Sequence, residues 1–345
     1  PVKPLVKVGT ATDPTAINLS DVQGKRSIDT NGNGRVMISE ANAAGALETM
    51  SRFAIDPRWL IYLPPTMSPV ETSSRDGWLE RPEEAFEFYR SRGVTEVVCE
   101  EKHMGSRAVA IVCKDLESAN KHFKSDARTG VIYTRTGRPF FDAKTEVSVL
   151  ERLRTAISKT GWWDSLETSW ICLDMEIMPW SAKAQSLIFQ QYAPVGSAAG
   201  LGLSEVEAAL SRAVARGVDV SAEHEKVEAR LASANAFSDA YRIYVWPVDS
   251  VNDLKIAPFH ILATEGRVHT DKPHKWHMET LSELSSTGDD IFVATIWRSV
   301  DLSDDEACAS AAAWWDELTA HGGEGVVVKP AMFIARGKKG ILQPA

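Results

Sequence analysis

The segment Lys102–Arg107 has the pattern K-x-x-G-x-R and lies between two apolar runs that are rich in β-branched residues. Thr95–Cys99 precedes it and Ala108–Cys113 follows it. Such runs predict strands, so we expect the motif in a turn at the end of a sheet. A lysine held there is a candidate nucleophile. The glycine allows backbone to approach a ligand closely, and the arginine can donate several hydrogen bonds to ribose or phosphate.

Two arginines surround a turn-forming Thr-Gly pair further along the chain, in Tyr133–Arg138. The planar guanidinium groups of Arg135 and Arg138 match the geometry of phosphate oxygens. The segment is therefore a candidate phosphate or RNA contact. A charged hairpin turn accounts for the same residues.

Two acidic segments follow. Leu173–Ile177 comes after an apolar run, and Glu324–Lys329 places a glutamate and a glycine before a predicted strand. Carboxylates at strand ends can accept hydrogen bonds from ribose hydroxyls or hold a divalent cation together with substrate phosphates. Glu176 and Glu324 are thus candidate metal ligands. The alternative for Leu173–Ile177 is an ordinary strand end with solvated acids.

In their order and separations, the four segments resemble the motifs of the covalent nucleotidyltransferases, the superfamily of DNA ligases, RNA ligases and capping enzymes. Glu101–Arg107, Trp59–Pro69 and Tyr133–Arg138 are similar to a narrower family, the C-terminal ligase (adenylyltransferase) domain of bacterial Pnkp, the polynucleotide kinase-phosphatase of RNA repair. The resemblance extends from about Arg35 to the end of the chain. It implies an α+β fold with an ATP-dependent ligase-like nucleotidyltransferase core of antiparallel sheets and helical additions.

The same resemblance implies an activity. Lys102 would attack the α-phosphorus of ATP, release pyrophosphate and hold AMP as a phosphoramidate, and AMP would then pass to an RNA 5′-phosphate. Because a protonated amine cannot attack phosphorus, the pKa of the amine must fall or a nearby metal must displace its proton. The metal would be Mg²⁺ or Mn²⁺, bound through Glu324 and Glu176. The nucleotide-binding residues that the resemblance implies are Glu101, Gly105, Arg107, Glu176, Tyr244, Trp246 and Lys329.

One of these assignments concerns the aromatic ring that stacks on the nucleobase. Tyr241–Val248 lies where the superfamily places that ring. Alternation along a predicted strand puts Tyr244 and Trp246 on the same face. Either can be the stacking ring, and a core role explains either one equally well.

The resemblance also implies partners. In the family the domain follows kinase and phosphatase domains of the same polypeptide, and sealing of RNA ends involves a partner that carries an RNA 3′-terminal 2′-O-methyltransferase. The family continues past the fourth segment to a motif close to K-x-R-G-x-x-Y, and this chain ends at Ala345, where that motif is expected to begin. Pro1 in place of an initiator methionine predicts a piece of a longer protein.

A second motif competes with this interpretation. Asp29–Glu40 fits the EF-hand calcium loop D-x-N-x-N-G-x5-E position by position. EF-hands normally come in pairs, however, and Leu19–Ile28 is a poor entering helix because a glycine interrupts it. An Asn-Gly turn followed by Arg35–Ile38 predicts a β-hairpin instead. Calcium binding by loop 29–40 stays open as the alternative.

The net charge and the cysteines limit the classes of protein to which this chain can belong. The formal net charge of −9 argues weakly against nucleic-acid binding, since such proteins are often basic. Local groups such as Arg135 with Arg138, or Arg336 with Lys338 and Lys339, can still form a positive groove. Four cysteines without C-x-x-C spacing are expected to be reduced and buried. With no signal peptide and no membrane-spanning run, a cytoplasmic enzyme is predicted.

Three histidines, His269, His274 and His277, lie close together in the sequence and suggest a zinc site. No cysteine is near them in the sequence. We therefore expect surface or RNA-facing side chains instead of metal ligands.

Periodicity, composition and the family resemblance together divide the chain into parts. Amphipathic helices are predicted over Glu40–Phe53 and Pro82–Ser91, and the stretch near Val206 and Leu210 has helical spacing as well. In chain order the parts are a mixed segment at 1–93 that packs on the core, the first part of the nucleotidyltransferase core at 94–188, a helical insertion at 189–239 and the second part of the core at 240–345, with a helical segment at 264–321.

Two other functions are compatible with the same residues. A DNA ligase or a GTP-using capping-type enzyme would keep the fold and change the reaction, and would normally carry an OB domain after the last motif. A non-catalytic calcium or RNA-binding module would keep the fold alone. The presence of all four segments favours an active enzyme.

Overall fold

The computed structural model describes residues 24–32, 34–65, 67, 70–180, 182, 186–337 and 340–342. The strands are β1 Arg26–Thr30, β2 Gly34–Ile38, β3 Glu96–Glu101, β4 Ser106–Cys113, β5 Gly130–Thr134, β6 Trp170–Met178, β7 Lys255–Thr264, β8 Arg267–Val268, β9 Trp297–Asp301, β10 Val326–Pro330, β11 Arg336–Gly337 and β12 Gly340–Ile341. The helices are α1 Glu40–Phe53, α2 Pro82–Arg90, α3 Leu116–Phe123, α4 Ala143–Thr160, α5 Trp162–Ser165, α6 Ala193–Ala215, α7 Ser221–Ile243, α8 His274–Ser285 and α9 Asp305–Ala320.

The larger sheet has five strands in the order β5-β4-β6-β7-β8, and each neighbouring pair is antiparallel. Strand β4 is almost continuously apolar because both of its faces are covered. Ala108 and Val112 belong to the core that includes α4, whereas Val109 and Ile111 pack in a second core that contains Trp59. The predicted α+β fold with antiparallel sheets is confirmed.

The smaller sheet has three antiparallel strands in the order β10-β3-β9. Helices α2 and α9 cover it through Phe86, Tyr89 and Trp314, which share a core with Val97. The Tyr89 hydroxyl donates a hydrogen bond to the carbonyl oxygen of Val328 at 3.1 Å. This contact ties α2 to β10.

Strands β3 and β4 are consecutive in the chain but belong to different sheets. The segment Lys102–Gly105 therefore lies at the end of a sheet, as expected, and it joins that sheet to the second one. The reason is that β3 finds its partners in β9 and β10, far along the chain, and β4 pairs with β5 and β6. The segment consequently lies where the two sheets meet.

The N-terminal motif forms a hairpin. Strands β1 and β2 pair antiparallel with Thr30 opposite Gly34, and the carboxylate of Asp29 accepts a hydrogen bond at 2.8 Å from Arg35. Asn33 lies outside the described residues. The hairpin prediction is confirmed, and the first carboxylate of the alternative calcium loop is paired with an arginine.

The predicted helices at Glu40–Phe53 and near Pro82 are confirmed as α1 and α2. Helices α6 and α7 form an antiparallel pair over the region predicted as a helical insertion, and the rings of Tyr192 and Phe237 stack 5.8 Å apart between them. The stretch 264–321 is only partly helical, because it contains β9, which pairs with β3.

The cysteines are unpaired thiols. Cys99, Cys113 and Cys172 are buried in strands, and Cys308 is partly exposed. The expectation of reduced, buried cysteines is thus confirmed for three of them. In the described part of the chain, no helix combines the length and apolar character needed to cross a bilayer.

Candidate active site

A cavity of about 450 Å³ is lined by residues from both sheets. It gathers most of the side chains that the sequence motifs predicted. Those that line it are Glu101, Lys102, Gly105, Arg107, Glu176, Glu324 and Lys329. Segments that are distant in sequence therefore converge on one space, which we call the nucleotide cavity after the ligand that the sequence motifs predict.

Lys102 reaches the nucleotide cavity from the segment between β3 and β4. Its side chain is 40% exposed, and its Nζ donates a hydrogen bond to Oε1 of Glu324. The Lys102 backbone N–H donates to the carbonyl oxygen of Gly325 at 2.9 Å, and Val326 pairs with Glu101 across the sheet. Strand pairing thus holds the lysine beside a carboxylate that comes from 222 residues later.

Arg107 is held by a buried carboxylate. Its Nε and Nη2 donate to the two oxygens of Asp174 at 2.9 and 2.6 Å, and the Asp174 side chain is fully buried. In the segment Leu173–Ile177, Glu176 was predicted as a site residue and Asp174 was not. The available signal was the period of two, which puts both carboxylates on one face of a strand.

Glu176 lies inside β6, opposite Arg107 in the register, and not at a strand end as predicted. Burial raises the pKa of Glu176 to about 8, the guanidinium of Arg107 opposes the shift, and the charge of Glu324 adds to it. Two carboxylates that face one cavity repel each other when both are ionised, and a divalent cation relieves that repulsion. The donor set fits Mg²⁺ or Mn²⁺.

Gly105 is required by close packing against β6. A Cβ at this position would collide with the carbonyl oxygen of Ile177 and would come within 3.0 Å of Cγ of Glu176. The Gly105 backbone N–H also donates to the Glu176 carboxylate. A larger residue would push the link between the sheets away from the cavity wall.

Phe259, on β7, supplies an aromatic ring of the cavity that the sequence reasoning missed. Tyr244 and Trp246 do not lie on a strand, so that prediction was wrong. Tyr244 caps the C-terminal end of α7 and its hydroxyl donates to the carbonyl oxygen of Gly322. The Trp246 indole N–H donates to the carbonyl oxygen of Asp253 at 2.6 Å. Neither of these two rings is among the residues that line the nucleotide cavity.

Lys329 forms a buried ion pair in the cavity wall. Its Nζ donates to Oε2 of Glu100 at 2.6 Å, and the two side chains are 5% and 4% exposed. Nε2 of His260 lies 3.4 Å from the same Nζ, and the Phe259 ring centroid lies 5.0 Å from it. The cation is therefore surrounded by groups that fix its position.

The three histidines predicted to lie at the surface are buried instead, so that assignment was wrong. His269, His274 and His277 are 6%, 2% and 0% exposed. Nδ1 of His274 lies 2.8 Å from the carbonyl oxygen of Pro330, and Nδ1 of His277 accepts from the backbone N–H of Ile261 at 3.2 Å. Burial lowers the pKa of His277 to about 4, so its ring is neutral. His274 and His277 are thus held by backbone groups, and the His269 ring lies 2.9 Å from the hydroxyl of Thr264, so all three are buried structural residues.

A sequence model of the PNKP adenylyltransferase domain, ligase domain, matches residues 45–345. The chain belongs to this family. The fold is similar to a chain in a structure of the Pnkp1/Rnl/Hen1 complex, with a TM-score of 0.55 and 18% identity over 83% of this chain and 76% of that one. A second structure, of the Pnkp1/Rnl/Hen1 RNA repair complex, gives a TM-score of 0.52 and 17% identity over 80% and 73%. No curated protein sequence matches the chain.

Two arginines predicted to contact phosphate or RNA lie outside the nucleotide cavity of this PNKP ligase-family domain. Arg135 and Arg138 are exposed on the turn after β5, and the guanidinium of Arg138 lies 4.6 Å from the ring centroid of Phe53. Lys338 and Lys339 of the other basic group lie outside the described residues. Any RNA contact by Arg135 and Arg138 is therefore made away from Lys102.

In this ligase-family domain, Glu176→Gln is expected to flatten the pH dependence of stability. The pKa of Glu176 is about 8 in the folded chain against an ordinary value of 4.5. The folded state thus keeps a proton that the unfolded chain releases. The resulting stabilisation is full below about pH 4.5 and is lost as the pH rises through about 8. Between about pH 5.5 and 8.5 the unfolding free energy of the wild type should fall more than that of the variant, by on the order of 1–3 kcal/mol.

Urea unfolding of both proteins at the two pH values measures this difference. Added Mg²⁺ should reduce it, because a bound cation favours the ionised carboxylate. Equal pH slopes for the wild type and Glu176→Gln would show that Glu176 is ionised throughout the range.

Proposed function

We propose that this domain attaches AMP to Lys102 and passes it to an RNA 5′-phosphate in RNA end repair. The observation that carries the proposal is the placement of Lys102, Arg107, Glu176 and Glu324 around one cavity. This transfer requires a nucleophilic amine, a guanidinium for phosphate oxygens and carboxylates for a cation.

In the proposed first step, Nζ of Lys102 attacks the α-phosphorus of ATP. The N–P bond forms as the bond to the bridging oxygen breaks, and pyrophosphate leaves with the electron pair. Glu324 accepts a hydrogen bond from Nζ and is positioned to take the proton that the amine must lose. Arg107 is already oriented by Asp174 before nucleotide binds, so its remaining N–H groups meet the phosphate without rearrangement.

In the second step, an oxygen of the RNA 5′-phosphate attacks the same phosphorus. The P–N bond breaks, the amine of Lys102 is regenerated, and the RNA end carries AMP through a new phosphoanhydride bond. An RNA 3′-hydroxyl would then displace AMP and join the two ends. Each step exchanges one bond to phosphorus for another, so positioning and charge neutralisation are the main contributions of the protein.

Glu176 and Glu324 are proposed to hold Mg²⁺ or Mn²⁺ in the nucleotide cavity. The bound cation would neutralise charge on the phosphates. The raised pKa of Glu176 supports this role. Burial and the charge of Glu324 disfavour the ionised carboxylate of Glu176, and a bound cation would favour it. Glu101 and Lys329, which also line the cavity, are proposed nucleotide contacts.

Phe259, in place of Tyr244 or Trp246, is proposed to stack on the adenine ring. Phe259→Leu should raise the ATP concentration needed for half-maximal adduct formation by about tenfold, because base stacking on an aromatic ring contributes roughly 1–3 kcal/mol. Adduct yield against ATP concentration measures this shift. Trp246→Leu is the comparison, and a larger shift in that variant would return the stacking role to Trp246.

RNA is proposed over DNA because one of the similar structures is that of the Pnkp1/Rnl/Hen1 RNA repair complex. From the family resemblance we also propose kinase and phosphatase domains in the same polypeptide, RNA ends as substrate and a partner that carries an RNA 3′-terminal 2′-O-methyltransferase. A cytoplasmic location fits the unpaired cysteines, which persist in reducing compartments.

The decisive experiment is intact-protein mass spectrometry after incubation with ATP and Mg²⁺ or Mn²⁺, on this chain and on the full-length polypeptide, with GTP as the control. An AMP adduct that forms with ATP and not with GTP would support the proposal. A GMP adduct alone would favour the capping-type reaction. No adduct with either nucleotide and either metal would contradict an enzymatic function and favour a binding module.

A further inference from the structure

A second cavity, of about 230 Å³, shares Met67, Lys102, Glu324 and Val327 with the nucleotide cavity. Most of its other walls are apolar and come from α2, α9 and β10. The apolar wall residues that matter here are Val70, Pro82, Ala85, Trp315, Val326 and Val328. A ligand in this second cavity would therefore lie against the proposed nucleophile without occupying the nucleotide cavity.

The indole of Trp315 is a fixed aromatic surface in the second cavity. The buried guanidinium of Arg81 lies 5.1 Å from the ring centroids of both Trp315 and Trp78, and the two indoles meet edge to face at 5.6 Å. Arg81 is itself held by Glu83 at 2.9 Å and by Asp316. The ring is thus oriented before any ligand arrives.

The charges around the second cavity argue against a polyphosphate as its ligand. Lys102 and Arg81 are balanced there by Glu80 and Glu324, and Arg81 is already engaged by two carboxylates. No net positive charge is left for phosphate oxygens among the described lining residues. A flat, largely apolar group with polar edges suits these walls, and a nucleobase is such a group.

We propose that the second cavity binds the base of the 5′-terminal nucleotide of the RNA strand that receives AMP. The proposal rests on the proposed function and names where its acceptor binds. Because the cavity reaches Lys102, a base stacked on Trp315 brings the attached 5′-phosphate towards the phosphorus carried by Nζ. Aromatic side chains commonly hold unpaired RNA bases by stacking, which tolerates any base identity.

The test uses adenylated protein purified before RNA is added, so that the first step does not enter the measurement. Single-turnover AMP transfer is compared for a 5′-phosphorylated RNA and for the same RNA with an abasic 5′-terminal nucleotide. We expect transfer to the abasic strand to be about 5- to 100-fold slower. Equal rates would overturn the proposal. Failure of the wild type to become adenylated would contradict the proposed function instead.

Variants then locate the effect. Trp315→Leu removes the aromatic face and should bring the two RNAs to similar rates. Trp78→Leu is the matched control, since Trp78 touches Trp315 but does not line the second cavity, and it should keep the preference for a base. A folded Trp315→Leu protein that keeps the full preference would also overturn the proposal. If Trp315→Leu does not fold, Ala85→Leu replaces it, because the larger side chain narrows the cavity. This variant should also bring the two RNAs to similar rates, and a full preference for the base would overturn the proposal.

Discussion

Replacing Lys102 with alanine or with arginine is expected to reduce AMP adduct formation to below about one-thousandth of the wild-type level. Alanine removes the nitrogen that would bond to phosphorus. Arginine keeps the positive charge beside Glu324, but its guanidinium stays protonated and cannot attack. Both variants should fold, because the side chains of Lys102 and its partner Glu324 are 40% and 28% exposed. Intact mass after incubation with ATP and Mg²⁺ measures the loss.

Lys121→Ala provides a matched control for this result. Lys121 is also an exposed lysine paired with a glutamate, Glu265, at 3.0 Å, but it does not line the nucleotide cavity. Its adduct level should equal that of the wild type. Peptide mapping of the wild-type adduct should place AMP on Lys102. AMP found on Lys329, or full labelling of Lys102→Ala, would move the nucleophile elsewhere.

The local motifs predicted the part of the site that depends on short segments. Lys102, Arg107 and Glu324 each lie beside a glycine or an apolar run that forms a strand, so their positions at element ends could be read from neighbouring residues. Their convergence on one cavity was expected only through the family resemblance. In the structure it results from pairing of β3 with β10, where Glu101 lies opposite Val326.

The missed residues depend on contacts between strands that are distant in sequence. The register of β4 against β6 sets Glu176 opposite Arg107, and the Arg107 guanidinium reaches the neighbouring carboxylate of Asp174 diagonally. Phe259 reaches the cavity because β7 adds to the other edge of β6. The period of two already put Asp174 on the same strand face as Glu176. The partner strands themselves could not be read from the local sequence, since β-strand registers are set by long-range packing.

The error at Tyr241–Val248 has a different cause. Aromatic and β-branched residues favour strands, and this run is rich in both. In the structure Tyr241 continues α7, because its ring packs on Phe237 at 5.5 Å and on Tyr192 at 6.3 Å. The contact with Phe237 has the i,i+4 spacing that stabilises helices. Packing within the helix pair therefore outweighed local propensity.

The second large effect is expected at the buried pair Glu100 and Lys329. Lys329→Met should lower the unfolding free energy by about 3–5 kcal/mol, because it leaves the buried carboxyl group of Glu100 without its cation. Burial already raises the pKa of Glu100, and Lys329 opposes that shift. Without Lys329 the Glu100 carboxyl should therefore take up a proton more readily. The stability deficit should be smallest at acidic pH and should grow as the pH rises to neutral, as urea unfolding across that range will measure.

Combining Glu100→Gln with Lys329→Met separates the effect of Lys329 on stability from its effect on formation of the AMP adduct. The double variant removes both charges of the pair, so its stability should return to within about 1 kcal/mol of the wild type. If Lys329 also contacts the nucleotide, this stable double variant should still form the AMP adduct more slowly than the wild type. Wild-type rates in the double variant would make Lys329 a structural residue. An undiminished stability of Lys329→Met at neutral pH would contradict the buried pair itself, because a carboxylate enclosed at 4% exposure has few routes to solvent.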